Sequence, residues 1–193
     1  MSEKIILDQQ FECLSQQSQG WPSEVNEFEN CMFSNCNFKE ADFSTLKFYE
    51  CRFENCDLSL AKVEQTIFQQ VQFEGCKLSG VLFDSCHPFA LEISFADSKL
   101  DHSSFYALKM SKANFLNCSL RGVDFTGAQL KDARFTGSDL WEAKFDHTLL
   151  QKADFSGAIH YQINPEQNQI KGAVFSRDGL EGLLSIYQIK IVS

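Results

Sequence analysis

Between residues 113 and 157 the chain divides into fives: ANFLN, CSLRG, VDFTG, AQLKD, ARFTG, SDLWE, AKFDH, TLLQK, ADFSG. The middle position of each unit is Phe or Leu, and the position two before it is Ala, Cys, Val, Ser or Thr. A strict internal period constrains the fold more than any local propensity, because every repeat must make the same shape and bury the same side.

A period of five excludes both regular elements. On an α-helix, five residues advance by about 500°, so successive centres step about 140° round the axis and form no stripe. On a straight strand an odd spacing sends successive centres to opposite faces. Within one unit, however, the centre and the residue two before it share a strand face. The chain must therefore run extended for a few residues and then turn a corner, once per unit. Corners of about 90° close after four units and give coils of about twenty residues, stacked about 4.8 Å apart. The expected fold class is all-β, a quadrilateral β-helix.

The phase holds beyond this stretch. A first array runs from the centre Phe28 to Phe83 and a second from Phe95 to Phe155, and 17 of the 19 Phe lie at unit centres. Only Phe11 and Phe89 do not. From Phe83 to Phe95 is twelve residues, two more than two units. The chain must leave its regular path within 86–94, where Pro88 cannot donate to a ladder. His87, Pro88, Phe89, Ala90 and Leu91 make either a kink that the solenoid absorbs or a small protruding loop anchored by Phe89.

The two ends read as caps. Residues 1–25 lack the period, and Phe11, Leu14 and Trp21 would cover an otherwise open sheet edge. The repeat spans 26–177, with the period decaying at His160 and Pro165 and recovering at Ile170 and Phe175. In 178–193, Leu180, Leu183, Leu184 and Tyr187 follow the i, i+3, i+4, i+7 pattern of a helix, with Asp178 or Ser176 as its cap. Gly179 and Gly182 weaken that helix, and Ile189 and Ile191 alternate like a terminal strand. Apolar side chains left over from the cap would join two copies into a homodimer.

Eight cysteines invite a disulfide or metal reading. Their phase argues for packing: Cys31, Cys36, Cys51, Cys56, Cys76, Cys86 and Cys118 all occupy the slot two before a centre or its equivalent, and Cys36, Cys56 and Cys76 should form an interior column. The spacings lack the C-x-x-C form of a zinc site. Catalytic constellations and cofactor motifs are equally missing. Gly137-Ser138-Asp139-Leu140 superficially matches a hydrolase elbow, but the phase turns Ser138 inward. The four histidines are scattered, with His102 and His147 at the last position of a unit, a corner. There is no long apolar run for a membrane span, and Ile5-Ile6-Leu7 is too short for a leader core, so a cytoplasmic protein is expected.

Function then belongs to the outward residues beside each centre. The net charge of −9 argues against direct nucleic-acid binding and is compatible with a partner that has a basic groove. If the break adds two residues, one face carries Asp42, Glu64, Asp84, Asp124 and Asp146 against Lys62 and Lys144. Another, less acidic, carries Lys47, Lys109, Lys131 and Lys152. The acidic set is either a solvated surface that favours solubility or a negative stripe at regular spacing along a rod.

The units ADFST, ADFSG, VDFTG and ARFTG resemble the A(D/N)Lxx motif of the pentapeptide repeat proteins, and the resemblance implies a right-handed quadrilateral β-helix. The tail at 163–192, INPEQNQIKGAVFSRDGLEGLLSIYQIKIV, and the Cys-rich first array resemble the topoisomerase-protecting members: the microcin and albicidin self-immunity proteins and, more distantly, the Qnr quinolone-resistance proteins. That resemblance implies a non-enzymatic DNA mimic that binds DNA gyrase or topoisomerase IV in the bacterial cytoplasm and protects it from poisons. Carried over by position, the dimer contact falls on Leu180, Leu183, Leu184, Ile186 and Tyr187, and the mimic surface on the acidic set. Qnr-type members have two projecting loops, whereas this chain has one break. A structural or adaptor solenoid that binds some other protein is the competing class.

Overall fold

The computed structural model describes residues 4–16, 20–22, 24–88 and 91–190, which wind into a right-handed quadrilateral β-helix with a short helix at its C-terminal end. Successive coils pair in parallel through strands of two to four residues and through isolated bridges. Many corners are tight turns closed by the amide of the next unit, as in Ala41 N–H to Phe38 C=O at 3.0 Å, while at others that amide donates to a side chain of the next coil, as Thr148 N–H does to Asn168 Oδ1 at 2.9 Å. The residue before that amide is left-handed, including His102 at φ 60° and His147 at φ 52°. A left-handed conformation costs a non-glycine residue about 1–2 kcal/mol, which is why Asn and Gly recur in this slot.

The centres form four interior columns. The first face stacks Ile6, Phe28, Phe48 and Phe68, and, beyond the break, Met110, Leu130, Leu150 and Ile170. The second carries nine Phe, from Phe11 through Phe95 to Phe175, with neighbouring rings stacked at 4.7–5.4 Å. Leu dominates the third face. The fourth holds Trp21, Phe43, Val63, Phe83, Phe105, Phe125 and Phe145. Rings on the opposite second and fourth faces meet edge-on across the square interior, as Phe115 and Phe125 do at 5.4 Å and 80°.

The slot two before each centre explains the cysteines. It lies at the corner, where a small donor can reach the carbonyl of a centre in the previous coil. Cys56 Sγ lies 3.3 Å from Phe33 C=O and Cys76 Sγ 3.3 Å from Phe53 C=O; Thr66 Oγ1 reaches Phe43 C=O at 2.7 Å and Ser138 Oγ reaches Phe115 C=O at 2.9 Å. Ser138 also accepts from Cys118 N–H at 2.9 Å, so its hydroxyl is committed to the backbone. All eight cysteines are free, and seven are buried, leaving Cys13 exposed. Burial pushes the Cys51 and Cys118 thiols up to about 12, from 9.0. One thiol per chain is therefore expected to react with a thiol reagent at neutral pH and all eight in denaturant. Because the folded pKa is the higher one, these thiols contribute stability in full below pH 9.0 and lose it as pH rises toward 12, which an alkaline denaturation series would show.

At the N-terminus the coil begins before the visible period does. Ile5–Leu7 pairs with Glu27–Glu29, and Gln10–Glu12 with Met32–Ser34. Phe11, out of phase in the sequence, stacks on Phe33 at 4.9 Å and so belongs to the second column. Two extra residues between Trp21 and Phe28 hide this continuity. Trp21 packs on Phe28, Phe38 and Phe43 and closes that end of the core.

The C-terminal end departs further from expectation. Instead of one helix over 178–187, the chain makes a 3-10 turn at Arg177–Gly179, the α-helix α1 at Glu181–Leu184, and a second 3-10 turn at Ser185–Tyr187. Ser176 precedes the first turn, but its hydroxyl accepts from Gly157 N–H at 2.8 Å, and neither it nor Asp178 caps an amide of α1. The expected strand is also missing as far as the described residues go: Gln188 turns left-handed at φ 49° and residues 189–190 find no ladder partner, while Ile191 lies outside the described residues.

Candidate functional site

With the centres of the middle coils buried and most polar corner side chains bonded to backbone, the outward side chains hold most of the available chemistry. On the fourth face, the column just before each centre reads Asp42, Lys62, Leu82, Ser104, Asp124, Lys144, and the column just after reads Ser44, Glu64, Asp84, Tyr106, Thr126, Asp146. Glu64 and Asp84 occupy the same column on adjacent coils, whereas Asp124 has Lys144 as its neighbour on the next coil and Asp146 lies on the other edge of the face. Asp42 stands apart with Lys62 beside it. Hydrogen bonds donated by the Ser44 side chain and by its amide, the latter to Asp42 Oδ1 at 3.0 Å, hold the Asp42 carboxyl below the usual carboxylate range. Asp146 faces His147 Nδ1 at 2.9 Å. The face is net acidic, but lysines interrupt it.

The break falls on the first face. His87 N–H bonds to Thr66 C=O and Glu92 N–H to Phe68 C=O, each at 3.0 Å, so the chain is fastened to the coil beneath at both ends of the insertion. Pro88 is exposed, whereas Leu91 is buried and marks the return to the core. Phe89 and Ala90 lie outside the described residues. A recess of about 470 Å³, lined by Val71, Leu91, Ile93, Met110 and Lys112 among others, adjoins the break.

At the C-terminal end, Leu180, Leu184, Ile186 and Tyr187 are exposed, and so is Ile189. Leu183 instead packs against the core, so it belongs to the cap rather than to a free surface. Tyr187 Oη donates to Glu166 Oε1 at 2.8 Å and ties the last turn to the segment after Ile163. Sequence reasoning missed a cleft of about 780 Å³ between the last coils and α1, with Trp141, Ile159, His160 and Tyr161 on one side and Gly182 and Ser185 on the other. Its signal was available in the exposed Trp141 beside Asp139. Burial works to raise the Asp139 carboxyl, and contacts from His160 and Arg121 outweigh it and leave it below its ordinary value.

Among the described residues, no group of three or more His, Cys, Asp or Glu could hold a metal ion, and no helix is long and apolar enough to cross a membrane.

The chain belongs to the pentapeptide repeat family: the family model described as a pentapeptide repeat region matches residues 26–105 and 66–145. Among solved structures, a trypsin-treated variant of QnrB1, a plasmid-mediated fluoroquinolone resistance protein, is 15% identical over 98% of this chain and 98% of its own, with a TM-score of 0.65. Full-length QnrB1 is 19% identical over 96% of this chain and 100% of its own, with a TM-score of 0.37. HetL, a pentapeptide repeat protein involved in heterocyst differentiation regulation from the cyanobacterium Nostoc sp. strain PCC 7120, is 15% identical over 88% of this chain and 84% of its own, with a TM-score of 0.34. At these identities the likeness to the first of them shows a shared fold. No curated protein matches the chain significantly.

Proposed function

We propose that the protein is a DNA mimic that binds a type II topoisomerase, DNA gyrase or topoisomerase IV, and shields it from poisons such as quinolones or peptide toxins. The observation that carries this reading is the fourth face, where Asp42, Glu64, Asp84, Asp124 and Asp146 are fixed at coil spacing on a rigid rod. A basic groove built for phosphates accepts such a row without any base to read. The fold shared with QnrB1, a fluoroquinolone resistance protein, supports the choice of enzyme and poison.

Dimension supports it too. The nine-Phe column is about 40 Å long at strand spacing, and two rods joined through Leu180, Leu184, Ile186 and Tyr187 would present about 80 Å, the length of more than twenty base pairs. Leu183 backs this contact from beneath. The break between Pro88 and Leu91 falls on a neighbouring face, and the loop of His87, Pro88, Phe89, Ala90 and Leu91 is a secondary contact in this reading. No direct nucleic-acid contact, cofactor or membrane is required.

The test is a supercoiling assay with purified gyrase, titrating this protein with and without a quinolone. Binding should weaken steeply as salt rises, and Glu64→Lys with Asp84→Lys should weaken it by about tenfold or more. Absence of binding, inhibition and protection at micromolar protein would overturn the proposal. The second reading, an adaptor solenoid for another protein, draws on Lys62 and Lys144, which offset part of the stripe. It predicts a partner held with little dependence on salt.

A further inference from the structure

The two tryptophans of the chain stand in opposite environments. Trp21 packs on Phe28, Phe38 and Phe43 in the N-terminal cap, whereas Trp141 leaves 53% of its surface in water on the wall of the C-terminal cleft. The exposed indole is nonetheless fixed. Asp139 Oδ1 accepts from the Trp141 backbone N–H at 3.2 Å and lies 2.8 Å from His160 Nδ1, while Asp139 Oδ2 accepts from Arg121 Nε at 2.7 Å. His160 in turn meets the indole edge-on, with ring centres 5.5 Å apart. One carboxylate, held from three sides, thus sets an aromatic pair in place. A ring held this way loses little freedom when a ligand stacks on it.

The rest of the cleft sets the chemistry of that ligand. Exposed carboxylates occur all along this rod, but here three of them line one cavity of about 780 Å³ together with the indole: Glu142 beside Trp141, and Asp178 and Glu181 from the cap. No lysine or arginine lines it with them. Exposed Ile159 adds an apolar wall. The cleft also backs onto Tyr161, whose side chain is buried and whose hydroxyl has no hydrogen-bond partner. Burial raises that phenol above its ordinary 10.0, so it stays a neutral donor. It lies against Gly179, where any side chain would collide with it.

We propose that this cleft takes the side chain of an arginine carried by a partner protein. The guanidinium stacks on Trp141 and pairs with the carboxylates, and a carbonyl beside that arginine accepts from Tyr161 Oη. Each part of the ligand answers a feature of the wall. A guanidinium is planar and weakly hydrated, so it stacks on an indole and sheds water more readily than the ammonium of lysine. Its five N–H donors match carboxylates that bring no cation of their own. Ile159 covers the methylene stem. A carbonyl entering past Gly179, with a small outward shift of the turn at Arg177–Gly179, gives the buried phenol the acceptor it lacks. Free arginine would bring its own carboxylate among three others, so a residue within a chain, flanked by neutral amides, is the better match.

The site is independent of the topoisomerase reading: it lies on the third face and the cap, and Leu180, Leu184, Ile186 and Tyr187 of the C-terminal contact are not among its walls. The full chain is titrated with acetyl-Gly-Arg-Gly-amide, followed by Trp141 emission and by its indole N–H in NMR spectra. A saturable change at millimolar peptide is expected, confined to Trp141, Gly179, Gly182 and their neighbours. The citrulline peptide, which keeps the shape and loses the charge, should bind about tenfold more weakly. The lysine peptide and ethylguanidinium, the bare head group, should also bind more weakly than the arginine peptide. Trp141→Ala, and Glu142→Gln with Glu181→Gln, should each weaken the peptide by about tenfold and leave the melting temperature unchanged, since these side chains are exposed. Tyr161→Phe should weaken the peptide but not ethylguanidinium. Glu64→Lys with Asp84→Lys, which probes the fourth face, should leave peptide binding as it was, so the two readings fail separately. The proposal falls if the arginine and citrulline peptides bind alike, or if Trp141→Ala binds as tightly as the parent, which would be mere attraction to an acidic rod. It also falls if Tyr161→Phe leaves the peptide's affinity unchanged, or if millimolar peptide gives no response.

Discussion

Phe135→Ala should cost about 3–5 kcal/mol of stability, read as a large fall in the urea midpoint with little change in the slope. Phe135 is fully buried, stacks on Phe115 at 5.1 Å and on Phe155 at 4.8 Å, and meets Phe125 and Phe145 edge-on. Removing it leaves a ring-sized void that neither neighbour can fill, since both are held in their own stacks. The coils above and below contact each other only through this layer, so the cost is felt by the rod as one cooperative unit. Phe175→Ala, at the half-buried end of the same column, should cost much less. Equal losses at the two positions would show that the column is not a mechanically continuous element.

Gly182→Ala should displace the C-terminal cap. A methyl group there would lie 2.1 Å from the Tyr161 carbonyl oxygen and 2.8 Å from its ring, and the backbone atom cannot yield. The shift would also break the Ile163 N–H to Gly182 C=O bond, 3.0 Å long, which fastens the helix to the last coil. Overpacking of this kind costs about 1–3 kcal/mol, and the lost hydrogen bond adds to it. Faster hydrogen exchange confined to the amides around Ile163 and α1, with the central coils unaffected, is the expected signature. Loss of self-association in the same variant would tie the cap to the C-terminal contact. The Tyr161 hydroxyl is buried without a hydrogen-bond partner, so this junction already tolerates one unfavourable group in exchange for close packing.

These two positions also mark what the sequence could and could not disclose. The period of five is a geometric instruction repeated at every unit, so the section of the solenoid, the interior cysteine column and the corners at His102 and His147 could all be read from it. The break near Pro88 was visible because it interrupts a rule. Phe11 was misplaced because coil pairing looks one coil back in space, and two extra residues before Phe28 moved that partner out of phase. The C-terminal turns were misread because Gly179 and Gly182 act through a tertiary contact with Tyr161, which helix propensity does not contain. The outer surface was legible only in part. The members of each column follow from the period, but whether a lysine finds a carboxylate one coil away depends on side-chain reach.

The two longer steps, Phe11 to Phe33 and Phe73 to Phe95, have a consequence for how such a chain finds its fold. Coils built from near-identical units can be laid on one another in many alignments, each satisfying the same backbone bonds, so a solenoid risks closing one coil out of step. A step of twenty-two residues fits only where the neighbouring coil leaves room for the surplus, as the fastening at Thr66 and Phe68 does. The irregular coils thus act as alignment keys. They distinguish one winding from its slipped copies and give a repetitive sequence a single native count.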